Sequence, residues 1–386
     1  MTSKRANWLF LVIILVHFGV VAFLIFFGAL LPDSIILNFL LSQGILIVPT
    51  IIFLLTFERR ERQPVLQMPM PPAPGMPQMP MPPAPKPFEA AGFHKVKIST
   101  LLMIALCTFL IMPLVTVLNV LTMFFTDNAV AAIEGDIVST PFPAMLFMIG
   151  IFGPFCEEFV FRGVIYRSYR RSGEWLNNIR YKMLRNNGIS AILLSSLLFG
   201  LMHMNFNQAV YAFAIGIFLV LLVEAAGSLW ASVFCHMFFN SCQVVLMYAS
   251  EGILNSIYGQ AANETAARMS TQDLLAALSV YLVIAAVTTP IAGCVIAWIA
   301  KNEGRQDVFR ALFGRSVRAS MPPQPMQRMP QQMPVNVPQQ WNMPSQEPQP
   351  VQWSMPPQPE YLLSVPLIIA VVLCLGYMSL ELILLG

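Results

Sequence analysis

The chain has 386 residues, of which 56% are hydrophobic and only 11% are charged. A soluble domain carries about 25% charged residues, so this composition excludes an ordinary soluble protein. It predicts an all-α polytopic membrane protein whose surroundings are the lipid bilayer. The net charge of +3 is small, and we expect no nucleic acid among the partners.

Nine apolar runs approach or exceed the roughly 20 residues that a transmembrane helix needs. We predict about eight core transmembrane helices plus a C-terminal extra span, the fifth run being short. The first run follows Lys4 and Arg5 and is longer than a signal-peptide core, so we interpret it as a retained span. The runs lie near residues 8–31, 35–57, 98–125, 142–166, 188–204, 207–226, 228–249, 274–299 and 361–385.

Basic residues flank the first span and fill the loops after the second, fourth and eighth spans, whereas the remaining loops are acidic. The positive-inside rule therefore predicts a cytoplasmic N-terminus, with the ninth span leaving the C-terminus outside. We expect a multi-pass protein of a bacterial plasma membrane. The acidic loops carry Asp33, then Asp127, Glu134 and Asp136, then Glu251 and Glu264 with a lone Arg268.

Two segments, 64–88 and 319–359, are rich in Pro and Met, and the second is also rich in Gln. Such composition cannot bury a core. We interpret both as cytoplasmic linkers, with a docking arm for a partner as the alternative. The predicted division is two transmembrane helices at 1–60, a linker at 61–97, the core at 98–300, a disordered cytoplasmic segment at 301–360 and an appended C-terminal helix at 361–386.

Two adjacent glutamates lie inside the fourth apolar run, where a buried carboxylate costs at least a few kcal/mol. Glu158 and Arg162 are four residues apart, so they share a helix face and can form an ion pair. Glu157 points about 100° away and has no partner in its own helix. This division suits a structural Glu158 and a general-base Glu157. The alternative is a span that ends in two glutamates meeting cytoplasmic arginines.

Histidines occur inside two later apolar runs. Phe199 and His203 are four residues apart in the fifth run, and His236 and Asn240 are four apart in the seventh. A histidine and an asparagine on one helix face can donate to a developing oxyanion. The alternative reading is hydrogen bonding between helices, which is a common use of polar residues inside membranes.

Together the patterns Glu-Glu-x-x-x-Arg, Phe-x-x-x-His and His-x-x-x-Asn stand in order on different apolar helices. The set resembles the CPBP family, which contains CAAX proteases and bacteriocin-processing enzymes. The resemblance covers about residues 98 to 250, or to 299, and implies that the core at 98–300 is a glutamate-dependent intramembrane endopeptidase. It also implies a site that opens toward the cytoplasm.

The resemblance implies a role for each motif residue. Glu157 and His203 would hold and deprotonate the attacking water, while His236 and Asn240 would stabilise the oxyanion. The residues implied to support the site are Glu158, Arg162 and Phe199. The implied substrate is a peptide or a membrane protein. Whether that is a prenylated protein, a bacteriocin precursor or a membrane-bound regulator stays open.

Three alternatives remain beside this interpretation. The glutamates and histidines could ligate zinc, although no HExxH is present and the two histidines are 33 residues apart. We therefore expect a metal-independent enzyme without a cofactor. The chain could also be a non-catalytic immunity or scaffold protein of the same family. A proton relay in a transporter is the third possibility.

Overall fold

Residues 2–61, 92–170, 187–258, 270–313 and 362–385 are described by a computed structural model of the chain. These residues form helices and connecting turns, and no strand occurs among them. The prediction of an all-α polytopic membrane protein is confirmed. Both Pro/Met-rich segments and most of the basic loop after residue 170 lie outside the described ranges, so the linkers, the docking arm and the domain boundaries stay predictions.

Eleven helices make up the described part of the chain. They are α1 Ser3–Phe27, α2 Ile35–Glu61, α3 Ile98–Thr122, α4 Glu134–Ser139, α5 Phe142–Arg170, α6 Asn187–Leu201, α7 Phe206–Ala226, α8 Leu229–Tyr258, α9 Thr271–Asn302, α10 Gln306–Leu312 and α11 Val365–Leu385. Eight of them are long and apolar enough to cross a membrane: α1, α2, α3, α5, α7, α8, α9 and α11.

Helix α6 is the one predicted span that falls short. It has 15 residues, and at about 1.5 Å per residue it extends roughly 22 Å, less than the ~30 Å of a bilayer core. The helix stops because the chain turns at residues 202–205, where Met204 adopts a φ of 53°. Asn205 then begins α7, its side chain accepting a hydrogen bond from the backbone N–H of Gln208.

Helix α7 is the centre of the bundle. It packs against α3, α5, α6, α8 and α9, and it is the most buried of the eight long helices. Helix α7 approaches α6 closely, because Gly200 of α6 and Gly216 of α7 have no side chain in the interface. A Cβ at Gly200 would lie 2.5 Å from the carbonyl oxygen of Ala209, and one at Gly216 would lie 2.9 Å from the Cβ of Ser196.

The bundle has a basic end and an acidic end. At the basic end, α1, α3 and α8 begin, and α5, α7 and α9 finish; the basic side chains there include Lys4, Lys97, Arg167, Arg170, Lys301 and Arg305. At the acidic end, the described residues include no Lys or Arg, and the charged ones include Asp33, Asp127, Glu134, Asp136, Glu251 and Asp273. The described loops thus keep the charge alternation predicted from the sequence.

Helix α11 packs directly on the bundle, against α1 and α6. Asn7 of α1 donates to the carbonyl oxygen of Leu362 and to Ser364 near its start. Near its other end, Glu381 accepts a hydrogen bond of 2.9 Å from Asn205. These contacts join the C-terminal helix to the rest of the bundle.

Candidate active site

Helix α5 is irregular on both sides of the paired glutamates. Wide π-helical turns at Leu146–Phe152 and Phe159–Tyr166 flank an α-helical stretch at Gly153–Glu158. Pro154 lacks an N–H and leaves preceding carbonyl groups without their helical donor. Two side chains of α8 donate hydrogen bonds to carbonyl groups in this region. Asn240 donates to the carbonyl oxygen of Ile149 at 3.2 Å, and Ser241 donates to that of Gly150 at 3.4 Å.

Glu158 and Arg162 form the predicted ion pair. Their Oε1 and Nη1 atoms are 2.7 Å apart, and both side chains are almost completely buried. The guanidinium also donates to the carbonyl oxygen of Gly216 on α7 and lies 4.1 Å from the ring centre of Phe199. A buried charge needs such compensation, which Oε1 of Glu158 receives, whereas its Oε2 has no hydrogen-bond partner among the described residues. Glu158 is therefore committed to holding α5 in place.

His236 of α8 lies between the two glutamates. Its Nδ1 is 2.9 Å from Oε1 of Glu158, and its Nε2 is 3.9 Å from Oε2 of Glu157. Nδ1–H can donate to the Glu158 carboxylate, which fixes the ring and turns Nε2 toward Glu157. This contact between motifs could not be predicted from spacing along the chain, because the two residues are on different helices.

Phe199 and His203 complete the cluster from α6 and the turn after it. The Phe199 ring lies edge-to-face with the rings of His203 and His236, at centroid distances of 5.2 and 5.9 Å. His203 Nδ1 is 2.9 Å from the carbonyl oxygen of Phe199. Because α6 ends at Leu201, His203 lies in the following turn and lines the same cavity as Glu157.

A cavity of about 910 Å³ brings the predicted residues together. Its lining includes all four predicted catalytic residues and one of the three supporting ones: Glu157, Phe199, His203, His236 and Asn240. Glu158 and Arg162 lie behind this surface, fully buried. The side chain of Glu157 remains 15% exposed, so the two adjacent glutamates differ in access to the cavity.

The cavity wall contains further polar residues outside the three motifs, among them Gln43 and His17. Gln43 of α2 is buried, with an Oε1 atom that has no hydrogen-bond partner among the described residues. His17 of α1 also lines the cavity. Both are polar residues within apolar runs, a pattern that is visible in the sequence alone. Neither belongs to the three motifs, so neither was selected.

The cavity extends to one side of the paired glutamates. It reaches from the glutamates toward the acidic end, where its lining includes Asn128 and Glu134. Glu157 lies about midway along α5, because the helix continues past the apolar run to Arg170. The cytoplasmic N-terminus and the side on which the site opens stay predictions.

A metal site receives no direct support from the described geometry. Among the described residues, no group of three or more His, Cys, Asp or Glu side chains is arranged to hold a metal ion. Of the donors in the cluster, Glu158 is already engaged by Arg162 and His236. The six cysteines, which the sequence spreads over separate apolar runs, are unpaired.

Residues 139–242 match the family model described as Type II CAAX prenyl endopeptidase Rce1-like. This segment is Rce1-like. It covers roughly a quarter of the 386-residue chain and contains all seven residues of the three motifs. The predicted resemblance to CAAX proteases is thereby confirmed, and the match supports a membrane endopeptidase acting on membrane-associated peptides or proteins. No curated protein and no solved structure matches the chain.

Proposed function

We propose that the protein is a glutamate-dependent intramembrane endopeptidase that hydrolyses peptide bonds of membrane-associated substrates. The observation that carries this proposal is the different position of two adjacent carboxylates. Glu158 is buried against Arg162 and His236, whereas Glu157 faces the cavity. A carboxylate that faces a cavity and has no strong ion pair can accept a proton from water.

In the proposed reaction, Glu157 and His203 hold a water molecule beside the scissile peptide bond. Glu157 takes a proton from this water as the water oxygen bonds to the carbonyl carbon. The tetrahedral intermediate then collapses and the carbon–nitrogen bond breaks. The leaving amine takes the proton from Glu157, which returns to its starting state.

His236 and Asn240 are the proposed oxyanion donors, since they lie one turn apart on α8 and both line the cavity. Nδ1 of His236 faces Glu158, which leaves Nε2 as the proposed donor to the oxyanion. Asn240 uses one amide N–H for the carbonyl oxygen of Ile149 and keeps the other. Donors fixed in advance in this way are typically the largest electrostatic contribution to acyl-group hydrolysis.

The proposal includes a metal-independent mechanism and a setting in a bacterial plasma membrane with a cytoplasmic N-terminus. The Pro/Met-rich segments would act as linkers or docking arms. The charge alternation between the two ends of the bundle supports this orientation.

The test is peptide cleavage by the purified full-length protein in liposomes, before and after treatment with a chelator. We expect cleavage to survive chelation and to be abolished by Glu157→Gln. Loss of cleavage on chelation with specific rescue by zinc would establish the metal alternative. If an active-site variant such as Glu157→Ala kept the biological phenotype in cells, the non-catalytic role would be favoured.

A further inference from the structure

Gln43 is a polar residue on the buried face of α2. It lies between Phe39 and Leu46, at the four- and three-residue spacing that places all three side chains on one side of a helix. All three line the cavity that contains Glu157. Gln43 itself is only 8% exposed. This face of α2 therefore presents a buried carboxamide to the proposed active site.

The carboxamide lies beside α5, about one helical turn from Glu157. Helix α2 packs against the Gly153–Glu158 stretch of α5, and a Cβ placed on Gly153 would lie 3.5 Å from Nε2 of Gln43. Gly153 precedes Glu157 by four residues, so the two positions share one face of α5 and are about 6 Å apart along it. Because an extended chain advances about 3.3 Å per residue, Gln43 can reach a substrate residue about two positions from the scissile bond.

The oxygen of this carboxamide has no donor bonded to it. Oε1 of Gln43 is buried and receives no hydrogen bond from the described residues, and Nε2 has a contact of 3.5 Å with the hydroxyl of Ser42. An unpaired buried acceptor lowers the stability of a fold, so packing alone does not account for a glutamine at this position. The last torsion of a glutamine side chain is broad, so the carboxamide can turn its oxygen toward a chain bound in the cavity.

We propose that Gln43 is a substrate-binding residue whose Oε1 accepts a hydrogen bond from a backbone N–H of the substrate, about two residues from the scissile bond. This inference rests on the proposed function for the word substrate. Every residue except proline carries such an N–H, so Gln43 would hold an extended chain beside Glu157 without selecting one side chain. Gln43 lies outside residues 139–242, so the site would include a helix that the family match does not cover.

Gln43→Met tests the proposal, because it keeps the length of the side chain and removes its polar atoms. We expect the Tm without substrate to equal or exceed that of the wild type, since an unpaired buried acceptor disappears. The KM for a cleaved peptide should rise roughly 2- to 10-fold, the usual effect of losing one neutral hydrogen bond, with kcat little changed. A lower Tm would assign Gln43 a structural role and overturn the proposal, as would an unchanged KM.

Thr50→Val is the matched control on the same helix. Thr50 is fully buried two turns from Gln43, and its hydroxyl donates to the carbonyl oxygen of Leu46 at 2.7 Å. It is not among the residues that line the described cavity. We expect an unchanged KM and a Tm equal to or below that of the wild type. If KM rises equally in both variants, the effect comes from α2 as a whole and the proposed contact is wrong.

Peptide binding identifies the contacted N–H without requiring catalysis. In a Glu157→Gln protein, we would compare peptides in which one backbone N–H at a time is replaced by an ester oxygen. One ester, about two residues from the scissile bond, should weaken binding roughly 2- to 10-fold. The same ester should have no further effect in the Glu157→Gln/Gln43→Met protein, because two changes at one contact are not additive. Additive effects at every position would exclude the contact.

The same binding data separate this inference from the proposed function. If the wild-type protein cleaves no peptide, the proposed proteolysis fails, and the Kd values still test Gln43. Weaker peptide binding by Glu157→Gln/Gln43→Met than by Glu157→Gln would then support the contact. Equal Kd values for the two proteins, or no peptide binding by either, would overturn it.

Discussion

At the scale of single residues, the site depends on two neighbouring glutamates having different surroundings. Helix geometry turns adjacent side chains about 100° apart, so one faces α7 and α8 while the other faces the cavity. Glu158 meets Arg162 and His236. Glu157 has only a 3.9 Å contact with Nε2 of His236. In the proposed mechanism, Glu158 has the structural role and Glu157 the chemical one.

Replacing Glu157 by glutamine keeps the shape of the side chain and removes the proton acceptor. We expect kcat to fall by roughly 10²–10⁴, the usual contribution of a general base, with thermal unfolding unchanged. Peptide cleavage and thermal denaturation of the same purified sample provide the measurement. Substantial cleavage by a well-folded Glu157→Gln protein would contradict the glutamate mechanism.

The Glu158–Arg162 pair should behave in the opposite way. Glu158→Ala or Arg162→Ala leaves one buried charge without its partner, and such changes typically lower the free energy of unfolding by about 3–5 kcal/mol. Arg170→Ala is the control, because its ion pair with Glu224 is longer, at 3.3 Å, and Arg170 is 26% exposed. If the two buried variants unfold like Arg170→Ala, the pair does not hold α5 in place.

At the scale of helices, α8 repairs the break that Pro154 makes in α5. Ser241→Ala and Asn240→Ala each leave a carbonyl group of α5 without its donor, which typically costs about 1–3 kcal/mol. We expect both to lower thermal stability to a similar degree. Only Asn240→Ala should also lower kcat, by roughly 10²–10³ if it is an oxyanion donor. Equal kcat values for the two variants would restrict Asn240 to its structural contact.

The contact between α6 and α7 gives a second prediction at this scale. Gly200→Ala would put a methyl group 2.5 Å from a backbone oxygen of α7, so α6 must move away and carry the turn with His203 along. We expect lower thermal stability and lower kcat. Gly19→Ala is the control, since nothing lies within 4 Å of its Cβ position. Wild-type kcat for Gly200→Ala would show that the position of α6 is not critical.

At the scale of the whole molecule, the sequence predicted what depends on spacing along one helix. The apolar runs located the long helices, and four-residue spacing predicted the Glu158–Arg162 pair. Contacts between helices were beyond reach, such as Nδ1 of His236 on Glu158 or Gln43 in the cavity wall. The early end of α6 was hidden too, because its apolar run continues to residue 204 and gives no sign of the turn.

Glu381 connects the C-terminal helix α11 to the turn that carries His203. It accepts from Asn205, whose own oxygen caps α7. We expect Glu381→Ala to lower kcat more than it changes KM, since the turn loosens while the cavity wall stays. Glu381→Gln keeps an acceptor and should restore kcat. An Ala variant with wild-type kcat would exclude this positioning role.

The bond between Asn205 and Glu381 also has a consequence for the order of events during synthesis. Asn205 leaves the ribosome 176 residues before its partner. A nascent chain can therefore carry all three motifs in the membrane while the turn at His203 still lacks its hydrogen bond to Glu381. Proteolytic competence would then arrive late, when α11 inserts beside α1 and α6. Neighbouring chains at the translocation site would then be protected, because the protease could not cut them before its own translation ends.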